Sequence, residues 1–283
     1  MIRTRFAPSP TGPLHLGHAF SAITAHDYAK RHGGTFFIRI EDLDHSRARP
    51  HWEDQIYEDL AWLGLDWETP VLRQSDRTEA YEQAVAQLQS AGLLYPCTCT
   101  RRDISDAATA PHTGPDGLIY PGTCRTHRGH STGPNALRLN MAQALAYIAG
   151  RDLTYPEIGP DRGAPQWHSF TPNQAKTGIG DVVLTRKDQV AAYHLAVVVD
   201  DAYQGITHVV RGDDLKPATD IHVILQHCLS LPTPQYYHHR LVCDDAGKRL
   251  AKRDDARALS TYRAAGHSPG DIRAMLGLGS PVA

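Results

Sequence analysis

Thr4-Arg5-Phe6-Ala7-Pro8 runs into the turn Pro8-Ser9-Pro10-Thr11-Gly12-Pro13, and Leu14-His15-Leu16-Gly17-His18 then opens a helical stretch. From Leu16 to Arg31 the apolar residues Ala19, Phe20, Ile23 and Ala29 recur on one face, the spacing of an amphipathic helix. Gly33-Gly34 ends it. Thr35-Phe36-Phe37-Ile38-Arg39-Ile40 is dense in aromatic and β-branched residues and reads as a strand. Strand, turn, helix, turn, strand is one βαβ unit, which predicts an α/β fold with a parallel sheet.

Working outward, residues 52–65 and 77–92 read as helices. Residues 97–190 change character, with three cysteines, many Pro and Gly and no long periodicity, and are expected to interrupt the sheet domain as an insertion. The expected division is a first catalytic half at 1–96, the insertion at 97–190, a second half at 191–240, and a basic loop with a short helical tail at 241–283. In the second half, Ala196-Val197-Val198-Val199 and Ile206-Thr207-His208-Val209-Val210 read as strands, and Ala218 to Leu229 as a helix. No internal repeat is apparent.

Hydrophobic residues make up 41% and charged residues 21%, enough apolar content for a sizeable core. No apolar run reaches the ~18–20 residues of a membrane helix, and the N-terminus lacks the apolar stretch of a secretory signal. A cytoplasmic protein without membrane contact is expected. The net charge of −2 excludes a blanket basic surface but leaves room for a local basic groove. Five cysteines, an odd number, argue against a disulfide framework.

Four constellations carry chemistry. In the first turn, a loop entering a helix gathers free backbone N–H groups and the positive end of the helix dipole, which suits phosphates. His15 and His18 share a face there and can donate to a transferring phosphate, while Gly17 leaves room for a flat ring. Glu41, at the end of the second strand, lies where ligands of open α/β sheets bind and can hold an ammonium group. Arg211, in Val210-Arg211-Gly212-Asp213-Asp214, offers a planar fork for a carboxylate. Lys248-Arg249-Leu250-Ala251-Lys252-Arg253 is a basic loop able to neutralise charge developing on a triphosphate. Separately, Cys97, Cys99 and Cys124 supply thiolates for a structural zinc site in a stretch with little core of its own. Cys228 and Cys243 read as ordinary buried thiols.

The stretch from Arg5 to His18 resembles the nucleotide-binding signature of class I glutamyl-tRNA synthetases, with His15-Leu16-Gly17-His18 standing for the "HIGH" tetrapeptide. Arg249-Leu250-Ala251-Lys252-Arg253 resembles the second signature, "KMSKS". It is degenerate: Arg249 replaces a lysine and Ala251 a hydroxyl residue, with Lys252 as the retained lysine. The resemblance extends from Arg5 through Arg253 and implies a Rossmann-like catalytic domain. It implies that Pro8, His15, Gly17, His18, Arg249 and Lys252 bind ATP with Mg²⁺, and that His15, His18 and Lys252 are catalytic. It places glutamate among Arg5, Ser9, Glu41, Tyr193 and Arg211, with Glu41 on the α-amino group. Two arginines beside one pocket favour glutamate over its neutral amide. The fourth zinc ligand implied is Tyr120, in the Tyr120-x-x-x-Cys124 pair, with His112, His127 and His130 as competitors.

Only about 30 residues follow the basic loop, too few for a helical anticodon-reading domain, since a free-standing core is marginal even at ~60 residues. The resemblance therefore narrows to a truncated ligase of this family. Such an enzyme activates glutamate with ATP, without tRNA, and transfers it to queuosine in the anticodon loop of tRNA(Asp). A monomer is expected, with Arg101, Arg102, Arg125 and Arg128 as candidate RNA phosphate contacts. Two other readings stand beside it. One is a glutamyl-tRNA synthetase core that charges tRNA(Glu) with a separate anticodon domain, and the other is a non-catalytic zinc-containing RNA-binding protein.

Overall fold

The computed structural model describes residues 1–107, 113–126, 135–160, 163–243 and 257–282. β1 (Arg3–Phe6), α1 (Leu16–Arg31) and β2 (Thr35–Ile40) form the βαβ unit the sequence predicts, with β1 and β2 parallel and Phe6 opposite Ile38. Ala19, Ala22, Ala25 and Ala29 bring α1 close to the sheet, and all four are fully buried. The chain then turns at Gly33 (φ +60). At Gly34 a Cβ would collide with the Ile2 backbone, so glycine is required. α2 (Pro50–Trp62) starts with a proline at its first turn, where the missing N–H costs nothing. It leads to β3 (Glu68–Arg73), parallel to β2, and then to α3 (Thr78–Ser90).

The next stretch holds β4 (Leu94–Cys97), α4 (Arg101–Ala107), the hairpin strands β5 (Thr113–Gly114) and β6 (Gly117–Leu118), α5 (Thr123–Thr126), β7 (Ala136–Leu139) and α6 (Met141–Tyr147). It continues with β8 (Thr154–Glu157), β9 (Gln166–Ser169), α7 (Pro172–Gly178) and β10 (Val183–Thr185). β10, β7 and β4 form an antiparallel sheet of their own. β8 does not join it. Although it lies inside the expected insertion, it pairs parallel with a strand of the main sheet, and β9 forms the edge. Among the described residues the insertion shares its core with the rest of the chain: Leu139, Met141 and Leu184 belong to one buried cluster with Val197 and Ile224.

α8 (Tyr193–Tyr203), β11 (His208–Gly212), α9 (Thr219–Leu229) and β12 (Gln235–His239) complete the main sheet. Here the structure corrects the sequence reading, because Ala196–Val199 is helical, inside α8. Leu195 to Val198 are all buried, since α8 packs against α3, α9 and β10. An element buried on every side has no polar face, and periodicity cannot tell such a helix from a strand.

β1 lies beside β11, where the Thr207 N–H donates to the Arg3 carbonyl at 3.1 Å. Two sheets, β3-β2-β1 and β11-β12-β8-β9, thus meet edge to edge at β1 and β11. From β1 the chain first builds outward to one side and later returns to build the other. The gap between the carboxyl ends of β1 and β11 is the topological switch point, where doubly wound sheets bind ligands.

α10 (Leu259–Ala264) and α11 (Pro269–Met275) pack back onto the first half. Arg273 donates to both oxygens of buried Asp27, at 2.8 and 2.9 Å. Burial raises the Asp27 carboxyl, but hydrogen bonds from Arg273 and His26 outweigh it and leave the group below its usual range. A carboxyl lowered in the folded state stabilises the fold above the unfolded value of about 3.9, and that contribution disappears as pH falls through the folded value. Asp27→Asn should cost about 3 kcal/mol at neutral pH. In urea titrations the gap between wild type and variant should narrow as pH falls below the unfolded value; a gap independent of pH would contradict the pairing.

Candidate active site

At the switch point lies a cavity of about 360 Å³, lined by Arg5, His15, Gly17, His18, Glu41, Tyr193 and Arg211 among others. A second hollow, lined by Pro8, Ser9, Thr11, Asp44 and Arg47, shares His18 and Glu41 with it. All the described residues expected for ATP and glutamate thus gather at one place, contributed by β1, the turn after it, α1, the end of β2, α8 and β11. Arg249 and Lys252 lie outside the described residues. The chain on either side of that stretch reaches the site: Leu241 and Val242 line the cavity, and Ala258 bridges to His15.

His15 is the N-cap of α1. Its Nδ1 accepts from the Gly17 N–H at 3.1 Å, and the His18 Nδ1 accepts from the His15 N–H at 3.2 Å. The two rings lie 3.8 Å apart. Because each Nδ1 is held as an acceptor, a neutral ring carries its proton on Nε2. The capping box therefore fixes both imidazoles as Nε2–H donors beside the positive end of the helix.

The acidic-substrate end is built from a network. Arg5 donates through Nε and Nη2 to Asp201, at 3.0 and 3.4 Å, and through Nη1 to the Val210 carbonyl at 3.3 Å. Fully buried Arg39 donates to Asp201 at 2.6 Å, to Gln204 at 3.2 Å and to Glu41 at 3.3 Å. Burial pushes the Glu41 carboxyl up, against the pull of Arg39 and Arg5. Burial acts the same way on Asp201 but is outweighed by Arg5 and Arg39, which hold it below its usual range. Arg39 and Asp201 were not among the expected site residues. Arg39 had a signal, standing two residues before Glu41 on the same face of β2.

Arg211 is also buried. Its Nη2 donates to Thr219 Oγ1 at 2.7 Å, Nη1 to His222 Nδ1 at 3.2 Å and Nε to His238 Nε2 at 3.3 Å. Among the described residues no carboxylate forms an ion pair with it. Three of its five N–H groups are thereby used, as are three of Arg5's, and each guanidinium keeps two for a ligand. Among the described residues in and behind the cavity, Arg5, Arg39, Arg211 and Arg240 face Glu41, Asp201 and Asp214, leaving one positive charge in excess.

A family model described as tRNA synthetases class I (E and Q), catalytic domain, matches residues 1–280. The chain belongs to that family. A Rhodobacter capsulatus protein named glutamyl-Q tRNA(Asp) synthetase is 55% identical to this synthetase-family chain, with 97% of the chain and 99% of the relative covered. A Nocardia farcinica protein of the same name is 45% identical, with 96% and 82% covered. Among solved structures, a glutamate tRNA ligase from Elizabethkingia meningosepticum in complex with its amino acid aligns at a TM-score of 0.67 and 27% identity. That match covers 89% of this chain, which spans about half, 52%, of the ligase. Methionyl-tRNA synthetase of Mycobacterium tuberculosis bound by methionyl-adenylate aligns at 0.63 over 97% of this chain and 63% of its own, at 12% identity, a likeness of fold alone.

In this synthetase-family chain the Cys97, Cys99 and Cys124 sulfurs lie within 4.8 Å of one another, a group that could hold a metal ion. The Tyr120 hydroxyl oxygen stands 3.5 Å from Cys97 Sγ and 3.3 Å from Cys99 Sγ, and Cys99 and Cys124 are 3.4 Å apart. A tetrahedral ion with bonds of about 2.3 Å to sulfur and 2.0 Å to oxygen sets edges of about 3.8 and 3.5 Å, so the four groups fit one. His112, His127 and His130 lie outside the described residues. Arg138 donates to Cys97 Sγ at 3.2 Å and lies 3.9 Å over the Tyr120 ring, and burial pushes the Tyr120 hydroxyl up. Burial raises Cys124, but hydrogen bonds led by Tyr120 bring it down to about 6. Burial raises Cys99 to about 11.

One other expectation needs correction. Arg125, expected as a phosphate contact, is exposed but paired: it donates to fully buried Asp181 at 2.7 and 2.9 Å. A buried carboxylate demands a partner, and this pair pins α5, with Cys124, to the β4–β7–β10 sheet. Arg101 and Arg102 are exposed on α4, where Arg102 lies 3.7 Å from Asp106. Arg128 lies outside the described residues. Cys228 is buried, but Cys243, expected to be buried as well, is exposed.

Proposed function

We propose that this chain activates glutamate with ATP, without needing tRNA, and transfers it to queuosine in the anticodon loop of tRNA(Asp). The reading is supported by relatives of that name, one matched over 99% of its length. The observation that carries it is the shared cavity in which Arg5, Arg211 and Glu41 face His15 and His18. A glutamate molecule has two carboxylates and one ammonium. Its net charge of about −1 at neutral pH offsets the excess positive charge of the cavity, and a neutral amide does not.

Arg5 and Arg211 take the side-chain carboxylate, Glu41 the ammonium, and Ser9 and Tyr193 border them. One oxygen of the α-carboxylate attacks the α-phosphorus of ATP, the bond to the bridging oxygen breaks, and pyrophosphate leaves. His15 and His18 donate from Nε2 to the phosphate oxygens as charge develops, and Lys252 and Arg249 do so from the basic loop. Pro8 and Gly17 shape the nucleotide side. Mg²⁺ accompanies ATP and shields its charge. A hydroxyl of the modified nucleoside then attacks the acyl carbon and AMP leaves. Most of the acceleration comes from positioning and electrostatics. The RNA follows a local basic groove to which Arg101 and Arg102 contribute.

Cys97, Cys99, Tyr120 and Cys124 hold one structural zinc ion in this reading. Metal analysis should give one zinc per chain, lost with a chelator and in Cys99→Ser. Hydrogen exchange should then rise in β4 and α5 while β1 and β11 stay protected; metal-free protein with unchanged exchange in β4 would contradict it. We place the protein in the cytoplasm, as a monomer; no helix among the described residues is long and apolar enough to cross a membrane.

The test is incubation with ATP, labelled glutamate and either tRNA(Asp) bearing queuosine or tRNA(Glu), followed by removal of the 3′ end. Label retained in the anticodon-loop fragment of tRNA(Asp) is the expected result. Label found only on the tRNA(Glu) terminus overturns the assignment.

A further inference from the structure

We infer that His222, backed by His194 and Asp116, is a positioning residue that keeps Arg211 an unneutralised cation and so sets the preference for an acidic side chain over its amide. The inference rests on reading Arg211 as the reader of the side-chain carboxylate, and adds what maintains that reader.

The hydrogen bonds fix the protons. Arginine only donates, so the His222 Nδ1 that meets Arg211 Nη1 at 3.2 Å accepts. A neutral His222 then carries its proton on Nε2, which lies 3.2 Å from His194 Nδ1. His194 accepts there and turns its own Nε2 proton toward Asp116 Oδ1, 3.5 Å away. Both imidazoles are buried, at 2% and 5% exposure, and the Tyr193 ring packs on both, 5.3 Å from His194 and 5.7 Å from His222. Burial and the Arg211 charge push the His222 ring well below its usual value, in line with the neutral form.

A buried guanidinium needs acceptors, and the usual one is a carboxylate. A carboxylate bonded directly to Arg211 would cancel the charge that selects the ligand. An imidazole lone pair satisfies the N–H group without placing an anion on it: behind His222 the first carboxylate, Asp116, lies two rings away in the turn between β5 and β6, and behind His238, which accepts from Arg211 Nε, Glu157 lies one ring away, 2.8 Å from His238 Nδ1. Arg5 contrasts with this, since it is bonded directly to Asp201. Of the two arginines, Arg211 is the one left to discriminate.

The test compares His222→Gln, which keeps a neutral acceptor, with the nearly isosteric His222→Glu, which places an anion on Arg211. The readout is glutamate-dependent and glutamine-dependent ATP–pyrophosphate exchange. His222→Gln should keep the wild-type ratio of kcat/KM for the two amino acids within about threefold. His222→Glu should reduce that ratio by on the order of 100-fold, through the KM for glutamate, with the KM for ATP unmoved. Equal ratios in the two variants overturn the inference. If His222→Glu does not fold, His222→Asp, which brings a shorter carboxylate to the same place, is used instead; a wild-type ratio there overturns the inference too. Arg211→Gln separates the two levels: an unchanged preference in that variant defeats the reading of Arg211 itself.

Discussion

Arg39→Leu should lose about 3–5 kcal/mol of stability, because it breaks a buried ion cluster from one side only. The Arg39 side chain is completely buried. It is the closest cation to Asp201, at 2.6 Å, and bonds Glu41 at 3.3 Å. Its removal leaves Arg5 to hold Asp201 alone, and Glu41 loses the larger of the two cationic pulls that offset its burial. Leucine fills part of the volume but none of the charge. Against a typical total of about 5–15 kcal/mol, the loss brings the protein close to unfolding at ambient temperature. Urea denaturation measures it, and a loss below about 1 kcal/mol would show that the cluster relaxes into water instead. Whatever fraction folds should bind glutamate poorly, since Arg5 and Glu41 are oriented through this residue.

His15→Ala and His18→Ala should each lower the kcat of glutamate-dependent ATP–pyrophosphate exchange by on the order of 100- to 1,000-fold, the scale of removing one preorganised donor to a developing charge. The KM for glutamate should change little, because the amino-acid end of the cavity is held by other elements. Both rings also belong to the α1 cap, so each substitution should cost about 1 kcal/mol of stability. That cost is small enough to leave the protein folded for assay. A fall in kcat of less than about threefold in both variants would remove the two imidazoles from the mechanism.

The βαβ opening was legible in the sequence because its signals are local. A proline- and glycine-rich turn, a helix face and a β-branched run each lie within a few residues, and they place His15, His18, Glu41 and Arg5 without further information. Arg211 was legible from its position at a strand end. Cys97, Cys99 and Cys124 were legible as a group, because they lie close together in the chain. What stayed hidden depends on partners far apart in sequence. Asp201 matters because Arg5 and Arg39 reach it from the other half of the chain. Arg125 reads as an unpaired cation until Asp181, far along the chain, pairs with it. β8 joins the main sheet by pairing with β12, which no local pattern records. α8 was misread for a different reason: a run buried on all sides carries no period. His222 and His194 look like two of seventeen histidines until α8 and α9 pack together and bring their rings to 3.2 Å.

The structure of this protein with a non-hydrolysable glutamyl-adenylate analogue puts the central claim to the most direct test. The side-chain carboxylate is expected within hydrogen-bond distance of Arg211 and Arg5, the ammonium on Glu41, and the phosphate against the Nε2 atoms of His15 and His18. An analogue bound with its side-chain carboxylate in solvent, or with its phosphate away from both imidazoles, would contradict it.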